Sequence, residues 1–305
     1  MAVALRSLRL DFQPLWWDEG YSIWFAHLPL GEMLRRTAED IHPPLYYALL
    51  GGWSQLFGLA PAALRLFSVG VGVLAVGLMF GVGASLGGRR AGWLAAFLLA
   101  ISPLYVFYSQ EVRMYALVAL WSLLATGLAA AWLGLTRSRR LAGHSPWMLA
   151  GYVAAVVLAL YTQYYAGFLA VGLAAAGLWV LWRRRAPWRR GAAWLVAQAS
   201  ALLLYLPWLR FAAPRLAPYV SQKVVADSDR PLGLIEYLAR HLSAYAAGHL
   251  EGPLASWWWL GVLGLAPLLW GMARLVRTPA SQRQARLALA VQFLGIALAI
   301  IFFIL

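Results

Sequence analysis

Long apolar runs broken by short polar connections set the pattern of this chain. A hydrocarbon core of ~30 Å takes roughly 20 helical residues, and eight runs approach that length: 62–86, 91–108, 114–135, 147–162, 164–182, 191–211, 254–276 and 287–305. They predict an all-α fold, a polytopic transmembrane helix bundle. The connections alternate in kind. Gly88-Arg89-Arg90, Arg137-Ser138-Arg139-Arg140, Arg183 to Arg190 and Arg274 to Arg286 are rich in arginine, which by the positive-inside bias belongs in the cytoplasm. The connections 109–113, around Gln163, and 212–253 are then expected to face outward.

The run 147–182 tests this alternation, because it holds no charged residue and one helix of that length would far exceed a bilayer. It is expected to cross twice and to turn at Thr162-Gln163, where Tyr161, Tyr164 and Tyr165 stand as an interfacial aromatic belt would. Residues 11–60 hold no ordinary span. Leu45 to Leu59 is short and interrupted by Gly51-Gly52 and Ser54-Gln55, and counting it as a crossing would invert the charge rule for every later loop. It reads as an interfacial helix. The expected organisation is one integral membrane domain, 1–305: an external acidic loop with short interfacial helices on the outer face (11–60), a six-helix membrane core (62–211), an external loop (212–253) and two further membrane helices (254–305). Gly77-x-x-x-Gly81 and Gly83-x-x-x-Gly87 lie in an apolar helix with no strand before them, so they are read as close helix packing rather than a nucleotide fingerprint.

Composition agrees. Of 305 residues 63% are hydrophobic and 12% charged, with a mean hydropathy of +0.69, well beyond the ~45–50% apolar share of soluble domains. A net charge of +14 would suggest nucleic acid in a soluble protein, but here the arginines cluster between apolar runs and topology accounts for them; no nucleic-acid partner is expected. The absence of cysteine excludes disulfides, thiolate metal sites and a cysteine nucleophile. Met1 to Leu10 carry Arg6 and Arg9 without the apolar core of a cleavable signal peptide.

The polar residues assigned to the outer side are few: Asp18, Glu19, Glu39, Asp40, His42, Glu111, Arg113, Gln163 and the tract 212–253. An acidic pair costs several kcal/mol in hydrocarbon, so Trp16-Trp17-Asp18-Glu19-Gly20-Tyr21 must sit at a membrane surface or in a wet cavity. Its adjacent carboxylates point in different directions in a helix or a strand and would take separate roles; the alternative is a solvated loop with interfacial tryptophans. In His42-Pro43-Pro44-Leu45-Tyr46-Tyr47 the prolines hold the histidine at a helix start, where it could equally be a cap. In Ser109-Gln110-Glu111-Val112-Arg113-Met114-Tyr115 the two charges cannot face each other on a helix, so each needs a partner elsewhere. Arg113 has the planar donor fork of an anion clamp, against a reading as a helix-end charge reaching for water. In the tract after Phe211, which carries Lys223, Asp227, Asp229 and Glu236, His241, Tyr245 and His249 share a face if helical, which leaves a divalent metal open beside a solvated amphipathic helix. No metal or other cofactor is firmly implied.

Taken in order, these motifs resemble the polytopic glycosyltransferases of family 39, relatives of the protein O-mannosyltransferases and the bacterial aminoarabinose transferase, with the GT-C fold. The resemblance runs through Leu15-Trp16-Trp17-Asp18-Glu19, His42-Pro43-Pro44-Leu45-Tyr46-Tyr47, Leu56-Phe57-Gly58, Arg65-Leu66-Phe67-Ser68, Ser109 to Leu117, Tyr161-Thr162-Gln163-Tyr164-Tyr165 and Leu206-Pro207-Trp208. It implies a membrane glycosyltransferase of the cell envelope, with a polyprenyl-phosphate-linked sugar donor, a surrounding membrane lipid and an active site on the outer face of the cell membrane. The acceptor is a hydroxyl on a lipid, glycan or protein. On this reading Asp18 is the base and Glu19 stands beside it as a second catalytic carboxylate, Glu19 and Glu111 position acceptor or sugar, and His42 and Arg113 face the phosphate. Trp17, Tyr115, Gln163 and Tyr164 complete the substrate-binding set, with Gln163 where many relatives carry histidine. The resemblance also implies a membrane helix ahead of the acidic loop and a longer carboxyl end, so the chain is expected to be a fragment lacking the first membrane helix. Two other classes compete with this reading. A transporter or flippase would place charges near mid-membrane and show two similar halves, whereas here the charges gather at the faces and no repeat is visible; a noncatalytic assembly protein of the same fold is the third.

Overall fold

The computed structural model of the chain describes residues 1–40, 42–137 and 145–226, with isolated positions between 236 and 248. Among them the secondary structure is helical: α1 (Ala2–Ser7), α2 (Trp17–His27), α3 (Leu30–Ala38), α4 (Leu45–Phe57), α5 (Pro61–Gly87), α6 (Arg89–Ile101), α7 (Pro103–Ser109), α8 (Tyr115–Trp132), α9 (Pro146–Thr162), α10 (Ala166–Arg183) and α11 (Trp188–Ala226). The chain is a multi-pass membrane protein. Four of these helices are long and apolar enough to cross a bilayer, five if the bent pair α6–α7 is one span, and α9 is apolar but shorter. The expected spans 254–276 and 287–305, the arginines 139–140 and 274–286, and His241, Tyr245 and His249 lie outside the described residues.

Two expected spans differ from the structure. The run 91–108 is two helices meeting at 64°. Pro103 has no N–H and its ring crowds the carbonyl four residues back, so the helix breaks there, and Ser102 caps the new start by accepting from the Tyr105 N–H at 3.4 Å. The carbonyls freed by the break are taken up by a cation. Arg6 of α1, fully buried, donates to Leu99 O at 3.1 Å, to Ala100 O at 3.1 Å and to Ser109 Oγ at 3.1 Å. The run 191–211 is the second difference: α11 continues for 39 residues to Ala226, about 58 Å at 1.5 Å per residue, so the expected external loop 212–253 begins as a continuation of that helix.

Glycine explains how the helices approach. Gly88, at φ 91°, alone joins α5 to α6, a conformation side chains with a Cβ avoid. A Cβ on Gly83 would stand 3.0 Å from Gly92 Cα, and one on Gly92 would stand 2.7 Å from Phe80 O. Close packing therefore holds for Gly83 and Gly87, whereas Gly77 and Gly81 face open space, contrary to expectation. The core between α8, α9, α10 and α11 is built on Trp194, which stacks against Trp132 and Tyr152 with ring centroids 5.5 and 4.9 Å apart. Gly177 leaves room for its indole, whose N–H donates to Ala174 O at 3.0 Å.

α8 and α10 end alike. At α8 the Leu135 N–H returns to Ala130 O and the Gly134 N–H to Ala131 O, with Gly134 left-handed at φ 65°. At α10 the Ala186 N–H returns to Leu181 O and the Arg185 N–H to Trp182 O. Here an arginine occupies the left-handed position, φ 49°, at a cost of ~1–2 kcal/mol over glycine.

Candidate active site

The short helices between residues 17 and 57 carry one face of a polar cluster, and the loop between α7 and α8 carries the other. α2 starts at Trp17, and acids in a helix's first turn are favoured by its dipole; Glu19 also accepts from the Trp16 N–H at 3.4 Å. Because successive helical residues differ by about 100°, the two carboxylates part. The Asp18 side chain is 38% exposed and that of Glu19 is 0% exposed.

Glu19 is wholly engaged. Arg65, one turn into α5, donates to it at 2.6 and 2.9 Å, and the Val112 N–H donates at 2.9 Å. Arg65 also donates to Leu10 O at 2.6 Å, Gln13 O at 2.9 Å and Pro14 O at 3.3 Å. This pair ties the segment before α2, the start of α5 and the α7–α8 loop into one unit. Its geometry suits Glu19 to holding that loop; the expected direct role on sugar or acceptor would require it to leave those bonds.

The charges of the loop meet the first helix. Arg113 is buried, its Nη2 standing 3.5 Å from Asp18 Oδ2 and its Nη1 donating to Asp18 O at 3.3 Å. Nη2 also donates to His42 Nε2 at 3.4 Å, and His42 Nδ1 lies 3.1 Å from Asp40 Oδ2. A guanidinium only donates, so Nε2 accepts, Nδ1 carries the proton and Asp40 receives it. Tyr115 bonds Arg113 and lies with its ring centroid 5.7 Å from the guanidinium carbon. The Arg113 Nε–H, fully buried, has no hydrogen-bond partner among the described residues. Glu111, beside it in the loop, is 7% exposed. Burial first, and then the charge of Glu19, push its carboxyl up to about 7 against the pull of Arg113.

The remaining expected residues are placed as follows. Trp17 is exposed and packs edge-on against Tyr21 at 5.3 Å; with Leu15, Trp16, Gly20, Tyr21 and Trp24 it lines an open groove of about 550 Å³ on the face of α2 beside Asp18. Gln163 is buried, its Oε1 accepting from the Tyr164 N–H at 2.9 Å. Tyr164 accepts from Trp208 Nε1 at 3.2 Å and lies within electrostatic reach of Asp40. Asp18, His42, Glu111, Arg113 and Tyr115 thus form one cluster, and Tyr164 borders it through Asp40, with Gln163 bonded to the Tyr164 N–H. Sequence reasoning gave no role to Arg65 or Asp40. A lone arginine early in a 27-residue apolar helix was the available signal, since a charge there demands a partner. Among the described residues no group of three His, Cys, Asp or Glu could hold a metal ion.

Residues 41–211 match the family described as dolichyl-phosphate-mannose-protein mannosyltransferase. The chain belongs to this family. The matched region includes His42, Arg65, Glu111, Arg113, Tyr115, Gln163 and Tyr164, while Asp18 and Glu19 precede it. Crystal structures of ArnT from Cupriavidus metallidurans have the same fold: that bound to undecaprenyl phosphate aligns at a TM-score of 0.64 with 18% identity over 99% of this chain and 54% of that chain. The apo state aligns at 0.64 with 19% identity over 99% and 53%. The chain therefore spans about half the length of the structures it matches. No curated protein matches it in sequence.

Proposed function

We propose that this chain carries the catalytic membrane portion of a glycosyltransferase that moves a sugar, of the hexose or mannose kind, from a polyprenyl phosphate to an acceptor hydroxyl on the outer face of the cell membrane. The observation that carries the reading is the convergence of Asp18, Glu111, His42 and Arg113, drawn from three separate segments, around a buried guanidinium with an unused N–H. A buried donor without an acceptor costs ~1–3 kcal/mol. An anion received there would recover that cost. Membership of the family and the fold of an ArnT that binds undecaprenyl phosphate support a lipid phosphate as that anion.

In the reaction the acceptor oxygen attacks the anomeric carbon as the bond from that carbon to the phosphate oxygen breaks. The electron pair leaves with the lipid phosphate, and the acceptor proton passes to Asp18, the more exposed carboxylate of the pair. Arg113 stabilises the departing phosphate, the larger part of such catalysis, and His42, which accepts from its Nη2, holds the guanidinium in place. Asp40 fixes the histidine tautomer. Glu111, near half-protonation at neutral pH, offers the sugar a group that can donate or accept a hydrogen bond. Glu19 and Arg65 are positioning residues.

The test uses the purified chain in liposomes with a panel of polyprenyl-phosphate sugars and mass analysis of the products. Asp18→Asn keeps the shape and loses the basicity, so transfer is expected to fall ~10²–10⁴-fold with donor still bound. Near-parental transfer by that variant would move the base to Glu111, and absence of transfer from every donor by the parent would overturn the reading.

A further inference from the structure

A second recess lies at the other end of the helices that border the site. α10 starts beside Tyr164 and runs 18 residues to Arg183, about 27 Å at 1.5 Å per residue, close to the thickness of a hydrocarbon core. Between its end and the start of α11 is a pocket of about 630 Å³ lined by Leu178, Leu181, Trp182, Arg183, Arg185 and Trp188 among others. We propose that it seats the headgroup of an anionic glycerophospholipid in the membrane leaflet opposite the candidate active site.

Charge complementarity is the first argument. Arg183, Arg184, Arg185, Arg189 and Arg190 crowd one turn, and the sequence holds no Asp or Glu from Val112 to Ala226. Arg183, Arg185, Arg189 and Arg190 are exposed, and the described segment 145–226 that holds them contains no acid to balance them. Shape is the second. Leu178 and Leu181 of α10 precede Arg183 and Arg185 in the chain and so lie on the side of the span, and the lining also includes Trp182 and Trp188, 71% and 77% exposed. Tryptophan at this depth is the anchor of a lipid–water interface. A recess lined by apolar, aromatic and cationic side chains fits a lipid phosphodiester with its acyl chains attached, whereas free phosphate would use only the arginines.

The third argument separates the arginines by what they do. Arg184 donates to Leu133 O at 2.6 Å and so closes the end of α8. The Arg185 backbone closes its own helix, but no bond of its side chain to a helix end is shown among the described residues. It occupies the left-handed position that α8 fills with Gly134, where glycine would serve the backbone better. Its side chain lines the pocket instead. An arginine kept against the preference of its own backbone makes sense if the guanidinium has a ligand.

Native mass spectrometry of the purified chain with equimolar phosphatidylglycerol and phosphatidylcholine tests this. The parent should retain phosphatidylglycerol over phosphatidylcholine by about fivefold or more. Arg183→Gln with Arg185→Gly should bring the ratio near one, while Arg185→Gly alone keeps or raises the melting temperature. Arg89→Gln with Arg90→Gln removes the same charge outside the pocket and should leave the ratio unchanged. The proposal is overturned if the parent shows no preference, if the Arg89/Arg90 variant loses it equally, or if a tenfold excess of inorganic phosphate displaces the lipid.

Discussion

The two ends of this bundle handle charge in opposite ways. At the end formed by α2 and the α7–α8 loop, buried arginines are bonded to acids and a histidine across long stretches of chain: Arg65 to the buried Glu19, Arg113 to the half-exposed Asp18 and to His42. At the end formed by the α10–α11 turn, Arg183, Arg185, Arg189 and Arg190 lie exposed in a described segment, 145–226, that holds no acid. The difference separates charges that specify a geometry from charges that address a membrane. A buried ion pair adds little net stability over an apolar pair, but breaking it is expensive. Exposed arginines can be exchanged with small effect on folding, and their value lies in what they meet in the solvent or the headgroups.

Unfolding of single variants in detergent would sharpen that contrast. The largest effect is expected from Arg65→Met, which leaves Glu19 buried without its cation and should cost about 3–5 kcal/mol; adding Glu19→Met should return part of the loss, because the stranded charge goes with it. Equal stability of Arg65→Met and parent would mean the pair is not buried in solution. Next comes Glu111→Gln. The folded carboxyl titrates at about 7, above its ordinary value of 4.5, so the native state holds a proton that the unfolded chain has released between those values. Stability from Glu111 is therefore present at low pH and lost as pH rises through 7. Glu111→Gln should raise the unfolding free energy at pH 8 by roughly 1–2 kcal/mol after allowing for partial solvent access, and change it little at pH 4; a gain independent of pH would refute the assignment. The smallest effect belongs to Arg189→Gln, at less than ~0.5 kcal/mol. A loss comparable to Arg65→Met would erase the distinction between the ends.

Much of the membrane architecture is legible in the hydrophobic pattern, because a run of apolar residues is a local property. The expected runs 114–135, 147–162 and 164–182 correspond to α8, α9 and α10 to within about three residues. The turn at Gln163 is visible because it is the only polar break in an uncharged stretch. The break at Pro103 carried its signal in the proline itself, while the overrun of α11 did not, since Pro207, Pro214 and Pro218 argue against a helix that nonetheless continues through them. At the candidate site the periodicity of a helix implies that Asp18 and Glu19 diverge, but not which of them is buried. That depends on Arg65, 46 residues away, and on the Val112 N–H, 93 residues away. Pairings at such separation have no local signature in a single sequence.

Those separations also set an order of assembly. When Arg65 leaves the ribosome Glu19 is already made, so the cation has its acid waiting as α5 enters the bilayer. Arg6 stands in the reverse position: its acceptors Leu99, Ala100 and Ser109 follow it by 93, 94 and 103 residues. Until α6 and α7 exist, burial would leave its guanidinium bare. The docking of α1 is therefore completed only once the bent span is in place to receive its arginine, so this contact closes late although α1 precedes its partners in the chain.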